Sequence, residues 1–414
     1  MATIIEAAGL RGETAIGYRR HEEVRRPPQY GVTLNPDKAA PLTLGADDQV
    51  IVLAEDLTPR PLTERVMLAP RSTETRTRDG GRRMPGQSVL FLGGTGIISS
   101  ACTARALELG MEVFLLNRGR SSTARPAPEG ATTLVGDLND PTSVREALGD
   151  REFDIVADFL AFTPRDVSSR LDVLAPRMGQ YVFISSASAY QTPPGRLPVV
   201  ESTPLRNPFW QYSRDKIACE DLLVRAYREE GLPMTIVRPS HTYDKTLLPF
   251  DGGWTVVDRM RRGAGVVVHG DGTSLWTLTH HTDFAHAFVG LLGHPAAIGD
   301  SFHITSDEWL SWNDIYTIVG RAAGVEPRLV HVPSDEIAAA DSEWGAGLLG
   351  DKAHSLIFDN SKVRRLVPDY TAVVGFHQGA REILDWYDAN PSRQKVDSAM
   401  DSTMDRLVAA ARGT

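Results

Sequence analysis

Tyr212-Ser213-Arg214-Asp215-Lys216 sets a phenol and an amine four residues apart. On a helix that spacing puts both on one face, one turn apart. An ammonium in that position lowers the pKa of the neighbouring phenol and favours a phenolate near neutrality. A phenolate beside a sugar hydroxyl takes its proton as hydride leaves the carbon. Ser186, at the end of the apolar run Tyr181-Val182-Phe183-Ile184, is placed to hold the same oxygen. The chemistry these three residues suggest is reversible oxidation of an alcohol.

Hydride needs an acceptor, and a second group of residues suggests where one would lie. Gly93-Gly94-Thr95-Gly96-Ile97-Ile98 follows the apolar run Ser88–Leu92 and precedes a helix predicted over Ser99–Leu109. Glycines there permit a sharp turn and let backbone amides approach a pyrophosphate at the helix N-terminus. Ser99 stands where a third glycine usually allows helix and strand to pack closely. The next predicted strand, Glu112–Leu116, leads into Asn117-Arg118-Gly119-Arg120-Ser121-Ser122, with no Asp or Glu to accept from ribose hydroxyls. A guanidinium and hydroxyls suit a 2′-phosphate, so the expected cofactor is NADP, with NAD as the alternative. After a third strand, Thr132–Val135, Asp137 and Leu138 are expected beside the adenine.

These residues need a scaffold. Short apolar strands alternating with helices from Ser88 onward, continuing through Asp154–Leu160 and Tyr181–Ser185, predict an α/β fold: a doubly wound parallel sheet with helices on both faces. The expected division is a small β-rich N-terminal unit over 1–57 and a linker over 58–87. A dinucleotide-binding domain over 88–240 follows, with part of 280–300 returning to it, then a substrate domain over 241–385 and a C-terminal helix over 386–414. The N-terminal unit is predicted from strands at Gly31–Leu34, Leu42–Leu44 and Gln49–Leu53, after a helical start at Ile4, Ile5 and Ala8. The linker is predicted because 58–87 is rich in Arg, Pro, Gly, Ser and Thr and has almost no apolar periodicity.

Composition narrows the function classes. The chain has 414 residues, 42% hydrophobic and 23% charged, which excludes disorder and fibre. No run of about 18 apolar residues occurs, so no membrane-spanning helix is expected. With only Cys102 and Cys219 and no secretory pattern at the N-terminus, a cytoplasmic protein is expected. The balance of 44 basic against 53 acidic residues, a net charge of −9, argues against a nucleic-acid partner. His280 and His281 lack further ligands at useful spacing, and no metal site is expected.

The glycine turn, Gly136-Asp137-Leu138, Ser185–Tyr190 and Tyr212-x-x-x-Lys216 together resemble the extended short-chain dehydrogenase/reductases, the NAD-dependent epimerase/dehydratase family, over about residues 88–387. The resemblance implies a Rossmann fold with a smaller C-terminal substrate domain. It implies Tyr212 as catalytic base, Lys216 as its activator and a ribose ligand, and Ser186 as the hydroxyl partner. It adds Leu160 and Ala161 to the cofactor-binding set, names Ser188, Tyr190, His241 and Trp276 as substrate-binding, and implies a homodimer. The first fifty or so residues, GETAIGYRR and GVTLNPDKAAPLTLGADDQVIVLAED, weakly resemble part of the regulatory ligand-sensing domains of potassium-channel-like proteins.

Arg238-Pro-Ser-His241-Thr-Tyr243-Asp244 departs from the family pattern, in which asparagine and glycine stand at 241 and 244. His241 is either a structural hydrogen-bonder or an acid. Trp254, Trp276, Trp309 and Trp312 are candidates to stack on a base or sugar, with core packing as their other use. Ser186 is followed by Ala187-Ser188 and not by the Asp-Glu pair of the 4,6-dehydratases. The expected activity is therefore epimerisation of a nucleotide sugar, nucleoside or glycoside through a transient ketone. Dehydration remains open, with His241, Glu201 or Cys102 as acid candidates. A ketone reductase using NADPH and a non-catalytic NADP-binding regulator are the alternatives.

Overall fold

The computed structural model describes residues 13–23, 32–34, 49–54, 86–119 and 125–412. They fall into two units, divided between Glu74 and Thr75. In the first, β1 (Glu13–Arg19), β2 (Val32–Leu34) and β3 (Gln49–Ala54) form an antiparallel sheet in the order β2-β1-β3, with a bulge at Ala15/Gly17. The central strand, β1, is one the sequence reading did not predict as a strand. The predicted strand at Leu42–Leu44, the helical start at Ile4–Ala8, and the linker as far as residue 85 lie outside the described residues.

The second unit is built on seven parallel strands. They are β4 (Ser88–Leu92), β5 (Glu112–Asn117), β6 (Thr132–Val135), β7 (Phe153–Asp158), β8 (Met178–Ile184), β9 (Met234–Pro239) and, after four short strands and several helices, a late edge strand Asp300–Ile304. The order across the sheet is Asp300–Ile304, β9, β8, β7, β4, β5, β6. Strand order reverses between β4 and β7, and in such sheets ligands bind at the carboxyl ends of the strands flanking that point.

Alternation along the strands feeds two cores. Val89 and Phe91 of β4 pack with Cys102 and Ala106 of helix α1 (Ser99–Glu108), while Leu90 and Leu92 face the opposite layer. That layer holds helices α2 (Pro141–Leu148), α3 (Pro164–Leu174) and α4 (Gln211–Glu230). Strands buried on both faces read as continuous apolar runs, which is why the sequence placed them well.

The remaining chain forms a third core. β10 (His241–Tyr243) pairs in parallel with a strand at Leu278–His280. Helix α5 (Trp254–Arg261), the parallel pair Gly265–His269 and Arg328–Val332, and the helices Trp312–Ala322 and Phe376–Asp388 pack around Val256, Val267, Ile315, Val332 and Ile383. The C-terminal helix, Ser398–Arg412, buries Met404, Leu407 and Val408 in this core. Buried Arg259 donates to the Gly265 carbonyl at 2.8 Å and pairs with Asp401 and Asp405 of that helix.

Neighbouring side chains close around the glycine turn and hold it. Gly93 has φ +86°, and a Cβ there would lie 2.6 Å from Leu160 Cγ. Ser99 Oγ donates to the Gly93 carbonyl at 2.5 Å and accepts from the Gly96 amide at 2.8 Å, so the serine at the third-glycine position ties the turn together. A Cβ on Gly94 would meet Leu115 Cδ2 at 2.5 Å and Phe91 Cβ at 3.1 Å. Gly94→Ala is therefore expected to destabilise the protein by about 1–3 kcal/mol through overpacking, read as a fall of several degrees in a thermal melt.

Candidate active site

Two depressions flank Lys216 of helix α4. The first, a groove of ≈ 460 Å³ across the strand ends at the order reversal, is lined by Gly93, Thr95, Gly96, Asn117, Arg118, Asp137, Leu138 and Leu160. These are eight of the residues expected to bind cofactor. Phe162, Asp166 and Arg170 also line it and were not predicted. Gly94 instead packs inside the turn, and Ile97 and Ile98 open helix α1. Ala161 is buried beneath the groove and offers its carbonyl to Lys216. Arg120 and Ser121 lie outside the described residues.

The groove fits a dinucleotide. Helix α1 begins with no side-chain cap and no acid in its first turn, so its amides favour an anion. The close approach of Gly93 to Leu160 leaves no room for a side chain where backbone must face the ligand. Arg118 stands exposed at the end of β5.

The second depression, a cavity of ≈ 320 Å³, is lined by Ser186, Ser188, Tyr212, His241 and Trp276 among the predicted residues. Trp210, Asp351, Lys352 and Phe358 share it and were missed. Ser186 and Ser188 bring their hydroxyls within 2.8 Å, and Ser213 donates to Ser188 at 2.7 Å. Ser186 also hydrogen-bonds Tyr212.

Lys216 sits at the junction. Its ammonium donates to the carbonyls of Ala161 and Ile184 at 2.7 Å each. It lies 4.7 Å from the ring centre of Phe162, in the groove, and 5.8 Å from that of Tyr212, in the cavity. Burial draws the Lys216 pKa down to about 8. Burial also raises Tyr212 to about 12, with the Ser186 hydrogen bond pulling it down and the Asp351 charge pushing it further up. The Lys216 ammonium is turned to these two carbonyls, and burial is the largest influence on the phenol.

Burial and the Lys352 charge hold His241 down at about 3, so its imidazole is neutral and is no acid at physiological pH. Tyr190 does not reach the cavity. It is 1% exposed, with its hydroxyl 3.0 Å from His303 Nδ1 and accepting from Arg238 at 3.2 Å. The chain turns inward after Ser188, and the phenol joins a buried network in which Arg238 pairs with Glu220. Glu201 accepts from the His303 amide in that network, and the Cys102 thiol points to the Ile98 carbonyl within helix α1, so neither acid candidate lines the cavity. Trp254 stacks on Tyr387, Trp312 packs inside against Trp276, and Trp309 is exposed away from the cavity.

Asp351 comes from a widened turn, Leu348–Lys352, with π-helical hydrogen bonding. Such turns recur at functional sites because they displace side chains from the regular helical face. Here the Gly350 carbonyl accepts from Asn207 at 2.6 Å and from Thr192 at 3.4 Å, and a Cβ on Gly350 would meet Trp210 Cβ at 2.7 Å. Burial lifts the Asp351 carboxyl to about 7 despite the neighbouring Lys352 ammonium.

Among the described residues no three His, Cys, Asp or Glu converge as a metal site, and no helix is long and apolar enough to cross a membrane. Residues 89–305 match the model of the NAD dependent epimerase/dehydratase family. A chloroplast stem-loop binding protein of 41 kDa from Arabidopsis thaliana is 26% identical over 59% of this chain and 66% of its own length. A UDP-glucose 4-epimerase from Lactobacillus helveticus is 27% identical over 36% and 50%. The chain thus spans less than two thirds of either relative. Among solved structures, epimerase Mth375 from Methanothermobacter thermautotrophicus superposes with a TM-score of 0.63 at 18% identity, over 76% of this chain and 95% of that one. A UDP-glucose 4-epimerase from Bifidobacterium longum, in complex with NAD+ and UDP, gives 0.58 at 20%, over 74% and 100%.

Proposed function

This chain belongs to the NAD dependent epimerase/dehydratase family, and we propose that it modifies a sugar-containing substrate by oxidising a hydroxyl to a transient ketone and then returning the hydride. The observation that carries the reading is the place of Lys216 between Phe162 of the groove and Tyr212 of the cavity, with Ser186 lining the same cavity as Tyr212. When bound, the oxidised nicotinamide supplies a hydride acceptor and a positive charge that favours the phenolate of Tyr212. Tyr212 takes the hydroxyl proton, and Ser186 holds the same oxygen. Lys216, fixed by two carbonyls, adds positive charge beneath both. Trp210 and Trp276 offer ring surface for a sugar face, and neutral His241 offers a hydrogen bond. Epimerisation is the first reading of the outcome, and a nucleotide sugar the first substrate class, in keeping with the sugar-nucleotide epimerases it resembles.

NADP is the proposed cofactor, on the strength of Arg118 in the groove and the lack of an acid at the end of β5. The net charge of −9 and the retained Tyr212 and Lys216 favour sugar chemistry over the stem-loop binding named for the Arabidopsis relative. The test is to denature the purified protein and identify any released dinucleotide by mass and by absorbance in the reduced-nicotinamide band. Retained cofactor is the expected result. An empty protein that binds NADPH reversibly would favour a ketone reductase, and failure to bind either dinucleotide would overturn the enzyme reading.

A further inference from the structure

We propose that Asp351 is a second proton-transfer group of the site, a carboxylate that removes and returns the proton on the carbon next to the transient ketone. The inference rests on the sugar-oxidation reading and deepens it. A simple exchange of hydride between two faces of one carbon has no use for a second base. Among the residues lining the cavity, Asp351 is the only carboxylate. Its carboxylate makes no hydrogen bond to any described residue, whereas the buried carboxylates of Asp158 and Glu220 are fully engaged. Its charge raises the Tyr212 phenol of helix α4, and it feels the charge of Lys352 from its own turn; Lys352 in turn faces His241 of β10 and Asp251, 3.8 Å away.

The turn that carries it is clamped rather than loose. Two hydrogen bonds to the Gly350 carbonyl, and the tight seat of Gly350 on Trp210, fix Asp351 against the floor of the cavity. Such clamping keeps a catalytic group in place without spending mobility on each turnover.

The step balances without any further reactant. The ketone polarises its neighbouring C–H bond, and Asp351 takes the proton. The C–H electron pair becomes the C=C of an enolate, whose oxygen accepts hydrogen bonds from Tyr212 and Ser186. Return of the proton restores the ketone. Where a hydroxyl sits on the next carbon, the same pair can expel it, with Asp351 giving its proton to the departing oxygen as water. The site would then act on substrates whose chemistry runs through the carbon beside the oxidised one.

The test separates this step from hydride transfer by supplying the ketone preformed. dTDP-4-keto-6-deoxyglucose and its UDP counterpart, in D2O with the purified holoenzyme, report exchange as loss of the proton signal next to the carbonyl. Wild type is expected to accelerate exchange over buffer, with the rate falling as pH drops below about 7. Asp351→Asn is expected to be slower by about a hundredfold and to lose that pH dependence. Wild type no faster than buffer, or a variant as fast as wild type, would overturn the proposal. Neither result touches the oxidation reading, which the released cofactor tests. The variant is expected to fold. Raising the Asp351 pKa in the fold means that stability is lost as pH rises from the ordinary carboxyl value of 3.8 to about 7, and asparagine removes that cost. A carboxyl carbon that titrates near neutrality by NMR in wild type and disappears in the variant would support the assignment independently.

Discussion

Tyr212→Phe is expected to lower kcat by about a thousandfold while leaving KM within a few fold, measured on whichever sugar the wild type converts. The hydroxyl is the group through which substrate oxygen loses and regains its proton, and phenylalanine keeps the ring that packs 4.9 Å from Trp210. Binding surface is thereby preserved and only the proton path is cut. The phenol is raised to about 12 by burial, and the Ser186 hydrogen bond lowers it. Ser186→Ala is then expected to shift the rising, acidic limb of the wild-type pH profile in the alkaline direction. The double substitution should cost much less than the product of the two single effects, because both hydroxyls serve one oxygen. A Tyr212→Phe enzyme with near-normal kcat would remove the phenol from the mechanism.

Asp158→Asn is expected to destabilise the fold by about 3–5 kcal/mol in urea denaturation and to weaken dinucleotide binding in the same protein. Asp158 ends β7 and is fully buried. Its carboxylate accepts from Arg170 at 2.6 and 2.7 Å, from the Tyr181 hydroxyl at 2.7 Å, and from the amides of Leu160 and Ala161 at 2.9 and 3.0 Å. An amide in its place leaves the 5% exposed Arg170 cation without a counter-charge inside the protein. It also loosens the loop whose Leu160 and Phe162 side chains line the groove and whose Ala161 carbonyl holds Lys216. The exposed pair Arg262–Asp258 is the contrast, since Asp258→Asn should cost less than about 0.5 kcal/mol.

The phenol, the amine and the glycine turn were legible because each depends on local geometry. A four-residue spacing has one meaning on a helix, and a buried strand followed by glycines has few. Asp351 was illegible for the opposite reason. No periodicity marks a π-helical turn, and its carboxylate shares a cavity with Ser186 because Asn207 and Thr192 hold the Gly350 carbonyl. A reading that looks for an acid just after the serine, as the chain runs, looks in the wrong place. Tyr190 erred similarly. Its position near a strand end suggested the site, yet whether the chain next turns toward cavity or core is decided by partners such as His303 and Arg238, far along the sequence. Ser99 was a milder surprise: a departure from glycine turned out to supply two hydrogen bonds that glycine lacks.

The edge strand Asp300–Ile304 has a consequence for how the chain is made. It completes the sheet beside β9, and helix His281–Leu291 covers α1 through Phe284 and Phe288. The same core also takes Val363, Val367 and Tyr370. A ribosome that has finished β9 has therefore released a nucleotide-binding half with one bare strand edge and one uncovered apolar face. At typical elongation rates the missing pieces emerge on the order of ten seconds later. During that interval the nascent chain depends on chaperones or on slow collapse, and a gene cut after β9 would leave it in that state permanently.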